Sequence, residues 1–500
     1  MMRTRHWIAA VFAVASIAAA LVELAAANRG FAAQTMQIDG TPITIYRPNA
    51  GGAAPVVVVA HGFAGSQQLM QPFAATFARN GYIAVTFDFA GHGRNRMALG
   101  GSLVEIDGAT QALVDETARV ADHVRDFGDG RLAVLGHSMA SDIVVRFAQS
   151  SPGVSATIAV SMFAPSVTAT SPRNLLVVAG DWEGGLKQEA LRAVGLASAP
   201  QTAEPSTTYG RFDDGTARRA AFSPFSEHVG VLYNQASQRE ALAWLDGAFG
   251  TLRAPGSGGV PDARGPWILL LLFGSVLLGW PLSCWLPVAD VAPSGVKRPW
   301  RRLWLPLLLP AIATPLLLRL APTHFLPILV GDYLAVHFFV YGALTALCLA
   351  SLPLPWTKTR PVLLAAGAMV FYGFVAIVWP LDTFVTSFVP SGLRVALVGV
   401  MLVGTLAYFV ADEWLARGTP GAYFVSKLAF VLSLAIAIAL DFERLFFLII
   451  IVPVILLFFI VYGLFGLWAY RRTGSPFAGA IANAVAFAWA IAVTFPLLAG

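Results

Sequence analysis

A serine, a carboxylate and a histidine, the side-chain types of a nucleophilic hydrolytic site, occur in that order between residues 135 and 230. The serine, Ser138, lies in the stretch LGHSMA at 135–140, which follows an apolar run and precedes a helical pattern. A sharp turn from strand to helix exposes a serine hydroxyl, and small residues flank it because strand and helix come close together. Ala140 stands where glycine is usual, and alanine is small enough to fit. The pattern predicts that Ser138 is a nucleophile.

The hydroxyl of such a serine needs a base that accepts its proton, and histidine is the expected residue type. The first half of the chain has five histidines after the leader. His61 and His92 lie in glycine-flanked loops at strand ends, His123 lies on an amphipathic helix, and His137 belongs to the turn itself. His228 falls in a loop between the last predicted strand and the final helix. This position, together with the elimination of the other four histidines, favours His228 as the base. The alternative is that His228 is an ordinary solvated loop histidine.

Two carboxylates, Asp181 and Glu183, follow the apolar strand pattern at 175–179 and are candidates for the acid that orients His228. Glu183 lies further along the loop, where its side chain has the length to reach across the edge of the sheet. Asp181 is nearer the strand and is suited to cap the helix that follows. We therefore favour Glu183 and keep Asp181 as the alternative.

The negative oxygen of a tetrahedral intermediate needs hydrogen-bond donors, which backbone N–H groups commonly supply. One donor is expected from Met139, the residue after the nucleophile. The other is expected from Phe63, because His61-Gly62-Phe63 directly follows a buried strand pattern at 55–60. Glycine at position 62 lets the backbone approach the substrate closely.

Strand and helix patterns alternate from about residue 34 to residue 249. Continuous β-branched runs are typical of strands that are buried on both faces. The predicted strands are at 44–46, 55–60, 82–87, 131–135, 157–160 and 175–179, with a weaker one at 219–222. Helices are predicted at 68–79, 109–127 and 231–249, and the stretch at 186–209 is expected to be a mobile loop. This alternation predicts an α/β domain, a mostly parallel sheet covered by helices.

Taken in order, these motifs resemble the α/β-hydrolase superfamily, most closely its esterase, lipase and dienelactone-hydrolase-like members. The matching motifs are HGF at 61–63, FDFAGHGR at 87–94, the turn at 135–140, GDWE at 180–183 and His228. The resemblance implies an α/β-hydrolase fold and a serine hydrolase activity. It also implies the roles of five residues: Ser138 as nucleophile, Glu183 as acid, His228 as base, and the N–H groups of Phe63 and Met139 as oxyanion donors.

The second half of the sequence is composed like a membrane protein. Hydrophobic residues make up 57% of the whole chain and charged residues only 12%. A Gly/Pro/Ser-containing linker at 253–265 follows the hydrolase-like region at 30–252. After it, eight apolar stretches approach or exceed the roughly 20 residues that span a bilayer. They lie at about 266–286, 303–320, 325–352, 361–380, 393–411, 421–440, 445–469 and 478–498. Residues 266–500 are therefore predicted to be an all-α polytopic transmembrane domain of about eight helices.

The first 29 residues form a basic leader followed by an apolar run of about 16 residues, which is typical of a signal peptide or an uncleaved N-terminal anchor. Basic residues are concentrated on one side of the predicted helices, eleven against four on the other side (Arg264, Arg319, Arg394 and Arg444). The eleven are Arg3, Arg5, Lys297, Arg298, Arg301, Arg302, Lys358, Arg360, Arg417, Arg471 and Arg472. An excess of basic residues marks the cytoplasmic side. The sequence thus predicts a multi-pass protein of the cytoplasmic membrane with its hydrolase domain on the extracytoplasmic, or periplasmic, side.

Composition also limits the partners and cofactors. The net charge of +5 arises near the apolar stretches, which indicates membrane topology rather than nucleic-acid binding. The two cysteines, Cys284 and Cys348, lie inside apolar runs, so a disulfide framework and a cysteine-ligated metal site are excluded. We expect no metal and no cofactor. The expected partners are a small-molecule or lipid ester substrate and membrane lipids.

Three ionisable residues, Asp332, His337 and Lys427, lie within the apolar stretches. Such residues mark functional sites by default, and the simpler interpretation is polar contact inside the helical bundle.

Three functions fit these features. The first is a membrane-tethered serine hydrolase that cleaves acyl esters, lipid-like ones among them, through an acyl-enzyme on Ser138. The second is an acyltransferase that uses the same triad. The third is a transport or scaffold protein whose hydrolase-like domain is a degenerate binding module.

Overall fold

The computed structural model describes residues 3–103, 105–253, 259–290, 297–352, 354 and 358–499. The chain divides into two compact units. The first, here called the sheet unit, comprises Ala19–Leu270 together with two later segments, Leu381–Ser387 and Pro496–Gly500. The second, the helical unit, comprises Met1–Ala18, Leu271–Pro380 and Phe388–Phe495. Part of the predicted linker, 254–258, lies outside the described residues.

The sheet unit is built on eight strands in the order β1-β2-β4-β3-β5-β6-β7-β8. Their bounds are β1 Phe31–Ile38, β2 Thr41–Pro48, β3 Val56–Ala60, β4 Ile83–Phe87, β5 Leu132–His137, β6 Val154–Val160, β7 Leu175–Gly180 and β8 Arg218–Ser223. Strands β3 to β8 pair in parallel, whereas β1 and β2 form an antiparallel edge. Every residue of β3, β4, β5 and β7 is buried, as the continuous apolar runs predict.

Helices cover the sheet. In the sheet unit they are α2 Gln71–Arg79, α3 Gln111–Arg125, α4 Met139–Ser150, α5 Gly184–Ser198, α6 Gly230–Tyr233 and α7 Gln235–Phe249. One buried cluster includes Phe73, Phe77, Leu242 and Trp244 from α2 and α7. A second includes Leu113, Val120, Ile143 and Val144 from α3 and α4. The sheet is thus packed on both faces, and the predicted α/β fold class is confirmed.

The expectation of a mobile loop at 186–209 is wrong for its first half, which α5 occupies. Its Leu, Lys, Gln, Glu and Ala residues are good helix formers, and Ala190, Ala193 and Val194 are buried. The prolines and threonines that suggest a loop occur only after residue 199.

The helical unit has the many apolar helices that the sequence predicts. The remaining helices of the chain are α1 Thr4–Ala26, α8 Arg264–Leu282, α9 Trp304–Leu318, α10 Gly331–Leu349, α11 Thr359–Gly373, α12 Trp379–Phe384, α13 Leu393–Ala416, α14 Ala422–Leu440, α15 Phe442–Leu445, α16 Phe447–Thr473 and α17 Phe477–Thr494. Among the described residues, nine helical stretches are long and apolar enough to cross a membrane: α1, Arg264–Trp285 (which includes α8), Trp300–Leu318 (which includes α9), α10, the run from α11 to α12, α13, α14, α16 and α17. At 23 residues α1 is longer than the apolar run read from the sequence.

Each ionisable residue singled out in the apolar stretches has a local partner. Asp332 accepts hydrogen bonds from the backbone N–H groups of Phe325 and Tyr333 at 2.9 and 2.8 Å. Lys427 forms a buried ion pair with Asp412, and His337 lies 3.1 Å from the hydroxyl of Ser433. These contacts fit the simpler interpretation, polar contact inside the bundle.

Candidate active site

Ser138 occupies the sharp turn between β5 and α4. Its backbone angles are φ 54° and ψ −119°, a conformation that a non-glycine residue adopts only when the surrounding structure holds it there. The N–H of Ser138 donates to the carbonyl of Val160 on β6 at 2.9 Å. A Cβ added to Gly136 would lie 2.2 Å from the carbonyl oxygen of Ala140. The turn therefore requires glycine at position 136, whereas the methyl group of Ala140 is accommodated and buried.

The three side chains of the predicted triad lie together at the carboxyl edge of the parallel strands. His228 Nε2 is 2.8 Å from Ser138 Oγ, and His228 Nδ1 is 2.6 Å from Glu183 Oε1. The His228 side chain is 39% exposed and the Glu183 side chain 6% exposed. The imidazole is thus open to solvent while the carboxylate behind it is covered.

The carboxylate of Glu183 is held on both oxygens. Its Oε2 atom accepts hydrogen bonds from Ser161 Oγ at 2.7 Å and from the N–H of Gly180 at 2.6 Å. Burial by itself would raise the pKa of Glu183, but the hydrogen bonds from His228, Gly180 and Ser161 outweigh it and lower that pKa below its ordinary value. Glu183 is therefore an anion at neutral pH.

The side chain of Asp181, the alternative acid, lies in a different environment. Its carboxylate is 49% exposed and pairs with Lys187 Nζ at 2.7 Å. Of the two carboxylates, only Glu183 has a hydrogen bond to His228 among the contacts described here.

The loop that carries His228 is fixed by its neighbours. His137 Nε2 lies 2.9 Å from the carbonyl oxygen of His228, and Trp182 N–H donates to the carbonyl of Ser226 at 3.0 Å. Burial lowers the pKa of His137 to about 3, so its ring is neutral. Because a carbonyl oxygen only accepts, His137 carries its proton on Nε2 and donates it to His228.

The two predicted oxyanion donors belong to the serine turn and to a loop that contacts it. Met139 is the first residue of α4, so its N–H has no acceptor within that helix. Phe63 lies in the loop after β3, which closely approaches the turn: a Cβ added to Gly62 would be 2.9 Å from Ser138 Cβ and 3.0 Å from the carbonyl oxygen of His137. Glycine at position 62 is needed for this close approach.

The sequence does not predict the roles of Ser161, which donates to Glu183, and of His137, which donates to the His228 loop. Ser161 directly follows β6, the strand beside β5, and that position is the signal that could have identified it. From the sequence, His137 is only a less suitable candidate for the base, although its place beside the nucleophile puts it within reach of the His228 loop.

Large apolar side chains are exposed on the loops at the same edge of the sheet. Phe163 follows β6, Trp182 follows β7 and Phe225 follows β8. They are 66%, 66% and 83% exposed respectively. The loops after β6, β7 and β8, two of which carry Glu183 and His228, thus expose three aromatic side chains, here called the aromatic rim.

Side chains that could bind a metal ion are not clustered in the part of the chain that the structure describes. Across the described ranges, no group of three or more His, Cys, Asp or Glu side chains is arranged to hold a metal ion.

Comparison with known proteins agrees with this architecture. Residues 52–192 match the family described as serine aminopeptidase, S33. A monoacylglycerol lipase from Mycolicibacterium smegmatis is 28% identical over 173 residues, which are 33% of this chain and 60% of the lipase. The chain therefore spans about 60% of the length of that relative.

Similar solved structures include TT1662 from Thermus thermophilus, with a TM-score of 0.33 and 15% identity over 45% of this chain and 99% of that one. Another is a membrane phospholipase A described as a novel bacterial virulence factor, with a TM-score of 0.30 and 16% identity over 48% of this chain and 93% of that one. The family match within the eight-stranded, mostly parallel sheet identifies the sheet unit as an α/β-hydrolase domain.

Proposed function

We propose that this protein is a membrane-tethered serine hydrolase that cleaves carboxylic acyl esters, including lipid-like ones, through an acyl-enzyme on Ser138. The observation that carries the proposal is the continuous hydrogen-bonded row from Ser138 Oγ through His228 to Glu183, with separations of 2.8 and 2.6 Å. A nucleophile, a base and an orienting acid in hydrogen-bond contact are what acyl transfer to serine requires.

Acylation begins when Ser138 Oγ attacks the ester carbonyl carbon and gives its proton to His228 Nε2. The carbonyl oxygen becomes negative and is stabilised by the N–H groups of Met139 and Phe63. Collapse of this intermediate breaks the bond to the alcohol oxygen, which takes the proton from His228 and leaves as the alcohol. Glu183 stays ionised throughout, keeps the imidazole in the productive tautomer and stabilises the imidazolium.

Deacylation repeats these steps with water as the nucleophile. His228 takes a proton from the water, the hydroxide adds to the acyl carbon, and the same N–H groups stabilise the second oxyanion. The bond to Ser138 Oγ then breaks and the serine recovers its proton from His228. The products are one carboxylic acid and one alcohol.

Three observations favour an apolar ester as substrate. The aromatic rim of Phe163, Trp182 and Phe225 borders the loops of the site. The relative found by sequence comparison is named a monoacylglycerol lipase. The chain also has many helices apolar enough to lie in a bilayer, and a membrane enzyme is surrounded by acyl lipids.

We also propose that the protein resides in the cytoplasmic membrane with the hydrolase domain on the extracytoplasmic side, as the basic loops and the leader indicate. In a background of Cys284→Ser and Cys348→Ser, single cysteines at the exposed positions Ala50 and Arg301 report the two sides. A membrane-impermeant maleimide applied to spheroplasts should label Ala50→Cys, and should label Arg301→Cys only after lysis. The reverse pattern would overturn this orientation.

A panel of p-nitrophenyl esters of increasing chain length and of lysolipids tests the proposed activity on the full chain in detergent. We expect Ser138-dependent release of the free acid, lost by at least a thousandfold in Ser138→Ala, since removing one member of a triad costs about 10⁴ or more in rate. Ser150→Ala, a serine on the same helix whose hydroxyl donates to the carbonyl of Phe147, is the control. Full activity in Ser138→Ala would refute the proposal, and labelled acyl transferred quantitatively to a second alcohol would identify an acyltransferase instead.

The role of the aromatic rim is tested with Trp182→Ser and Phe225→Ser. Each single substitution should lower kcat/KM for long-chain esters at least tenfold, because roughly 1.5–3 kcal/mol accompanies burial of such a side chain, while acetate esters should be unaffected. Leu252→Ser is the control, because Leu252 is 97% exposed and lies after α7, outside these loops. Equal losses of kcat/KM for short-chain and long-chain esters would show that the aromatic rim does not determine specificity for chain length.

A further inference from the structure

A short segment from the second half of the sequence belongs to the sheet unit. Residues Leu381–Ser387 include the end of α12 and the first three residues of the loop before α13, yet they group with the hydrolase domain. Their hydrogen bonds go to the loop after β3, the loop that carries the candidate oxyanion donor Phe63.

Ser66 is the centre of these contacts. Its hydroxyl is fully buried, donates to Gln68 Oε1 at 2.8 Å, accepts from the N–H of Ser387 at 2.8 Å, and lies 3.1 Å from Thr386 Oγ1. A hydroxyl has one proton and two acceptor positions. Since the proton is used on Gln68, Thr386 is the donor in its bond with Ser66, and the hydrogen-bonding capacity of Ser66 is filled.

Gln68 is held in the same way. Its Oε1 atom accepts from Ser66 Oγ and from Ser387 Oγ at 2.9 Å, and its Nε2 atom donates to the carbonyl of Asp382 at 3.3 Å. Ser66, Gln68 and Ser387 are all buried. Loss of a partner from such a network leaves a buried polar atom unsatisfied, which destabilises this arrangement of the loop.

The segment also reaches the next loop of the site. Asp382 forms an ion pair with Arg94 at 2.7 Å, and the N–H of Arg94 donates to Asp88 Oδ2 at 3.0 Å. Asp88 in turn accepts from the N–H of Gln67 at 2.7 Å. The loop after β3 and the loop after β4 are thus connected to each other and to residues 381–387.

The loop after β3 needs such support. Ala64 has φ 55°, which places a non-glycine residue in the left-handed region. Two residues earlier, Gly62 touches the serine turn. Phe63 lies between these two positions, so a small displacement of the loop moves its N–H group relative to Ser138.

We propose that residues 381–387 are a positioning element for the oxyanion hole, with Thr386 and Ser387 as the positioning residues. The proposal rests on the proposed function. It makes the rate of ester hydrolysis at Ser138 depend on a segment from the second half of the sequence, through hydrogen bonds to Ser66 and Gln68.

The test is the double variant Thr386→Val/Ser387→Ala in the full-length protein, compared with Thr386→Ser and Ser387→Thr, which keep the hydroxyls. We expect kcat for a short soluble ester to fall ten- to a hundredfold in the double variant with KM changed less than twofold. Removal of one oxyanion donor costs about 10²–10³ in kcat, and displacement of a donor costs part of that. The hydroxyl-keeping variants should stay within threefold of wild type.

A trifluoromethyl ketone separates this role from general support of the fold, because its tetrahedral adduct puts a negative oxygen in the oxyanion hole. Its inhibition constant should rise by the same factor as kcat falls. Ser426→Ala, a buried serine in α14 whose hydroxyl bonds the carbonyl of Tyr423, is the matched control and should change neither quantity. The fraction of each protein that a fluorophosphonate labels after prolonged incubation measures how many active sites are folded.

Wild-type kcat and wild-type inhibitor affinity in the double variant would overturn the positioning role, provided that the wild type shows Ser138-dependent hydrolysis. Absence of that hydrolysis would instead overturn the proposed function. If the fluorophosphonate labels fewer sites in the double variant than in the wild type, the single variants Thr386→Val and Thr386→Ser are compared instead. Equal kcat in these two variants overturns the proposal, and a loss of kcat restricted to Thr386→Val supports it.

Discussion

His137 Nε2 lies 2.9 Å from the carbonyl oxygen of His228, so the residue before the candidate nucleophile holds the loop of the candidate base. The neutral ring of His137 is the donor in this bond. The two loops that must meet for proton transfer from Ser138 are therefore joined by a second contact, independent of the one between the reacting side chains.

His137→Phe removes this donor but keeps a planar ring. We expect kcat to fall about tenfold with little change in KM, because the unpaired carbonyl of His228, at a cost of about 1–3 kcal/mol, favours displacement of the loop. His137→Gln keeps an N–H donor and should retain most of the activity. Steady-state kinetics on a soluble ester measure both, with His123→Phe, a change at an exposed helical position, as the control. Equal activity in the Phe and Gln variants would contradict this role.

His137 should also make the protein sensitive to acid. Its pKa is lowered to about 3 by burial, whereas in the unfolded chain it has the ordinary value of about 6.5. Between these values the unfolded state binds a proton that the folded state does not, so stability falls as pH decreases, by up to about 1.4 kcal/mol per pH unit.

The pH dependence of thermal unfolding in detergent measures this effect. Between pH 6 and pH 4 the unfolding temperature of the wild type should fall more steeply than that of His137→Gln, which has no titrating ring at this position. Parallel curves for the two proteins would show that His137 does not titrate differently in the folded and unfolded states.

The choice between the two carboxylates can be tested directly. Glu183→Gln should lower kcat about a thousandfold or more, as amide replacement of a triad acid stabilises the wrong tautomer of the base. Asp181→Asn should change kcat less than twofold, because Asp181 is half exposed and pairs with Lys187. The opposite ranking in an ester assay would exchange the roles of the two residues.

Gly62→Ala tests the close approach of the loop after β3 to Ser138. The added methyl group would lie 2.9 Å from Ser138 Cβ, so the loop has to move, and we expect kcat to fall at least tenfold. Gly195→Ala in α5 is the matched control, because its Cβ meets nothing within 4 Å. That change should leave kcat unaltered and stabilise the domain by about 0.5–1 kcal/mol. Unchanged kcat in Gly62→Ala would exclude tight packing at this contact.

Much of the fold follows from the sequence, because the central strands are buried on both faces and therefore have continuous apolar runs. Strand β1 was missed for the opposite reason. It is an edge strand, only Phe31 and Ile38 at its ends are buried, and its sequence has no regular alternation. Its position is set by pairing with β2, which a local pattern does not reveal.

The candidate triad could be proposed from the sequence because each member follows a strand, and parallel strands bring their carboxyl ends to one edge. Glu183 and Asp181 could be ranked only by the reach of their side chains. The contacts of Thr386 and Ser387 with Ser66, some 320 residues apart, had no signal in the sequence. They depend on where a segment from the second half of the chain comes to lie.

The central claim is that Ser138 is a nucleophile activated by His228, and active-site labelling with a fluorophosphonate tests it most directly. The account predicts a single stoichiometric adduct on Ser138 of the folded full-length protein, located by peptide mass spectrometry. Labelling should be at least a hundredfold slower in His228→Ala and absent from denatured protein. An unmodified Ser138 in folded protein, or labelling at the same rate without His228, would contradict the account.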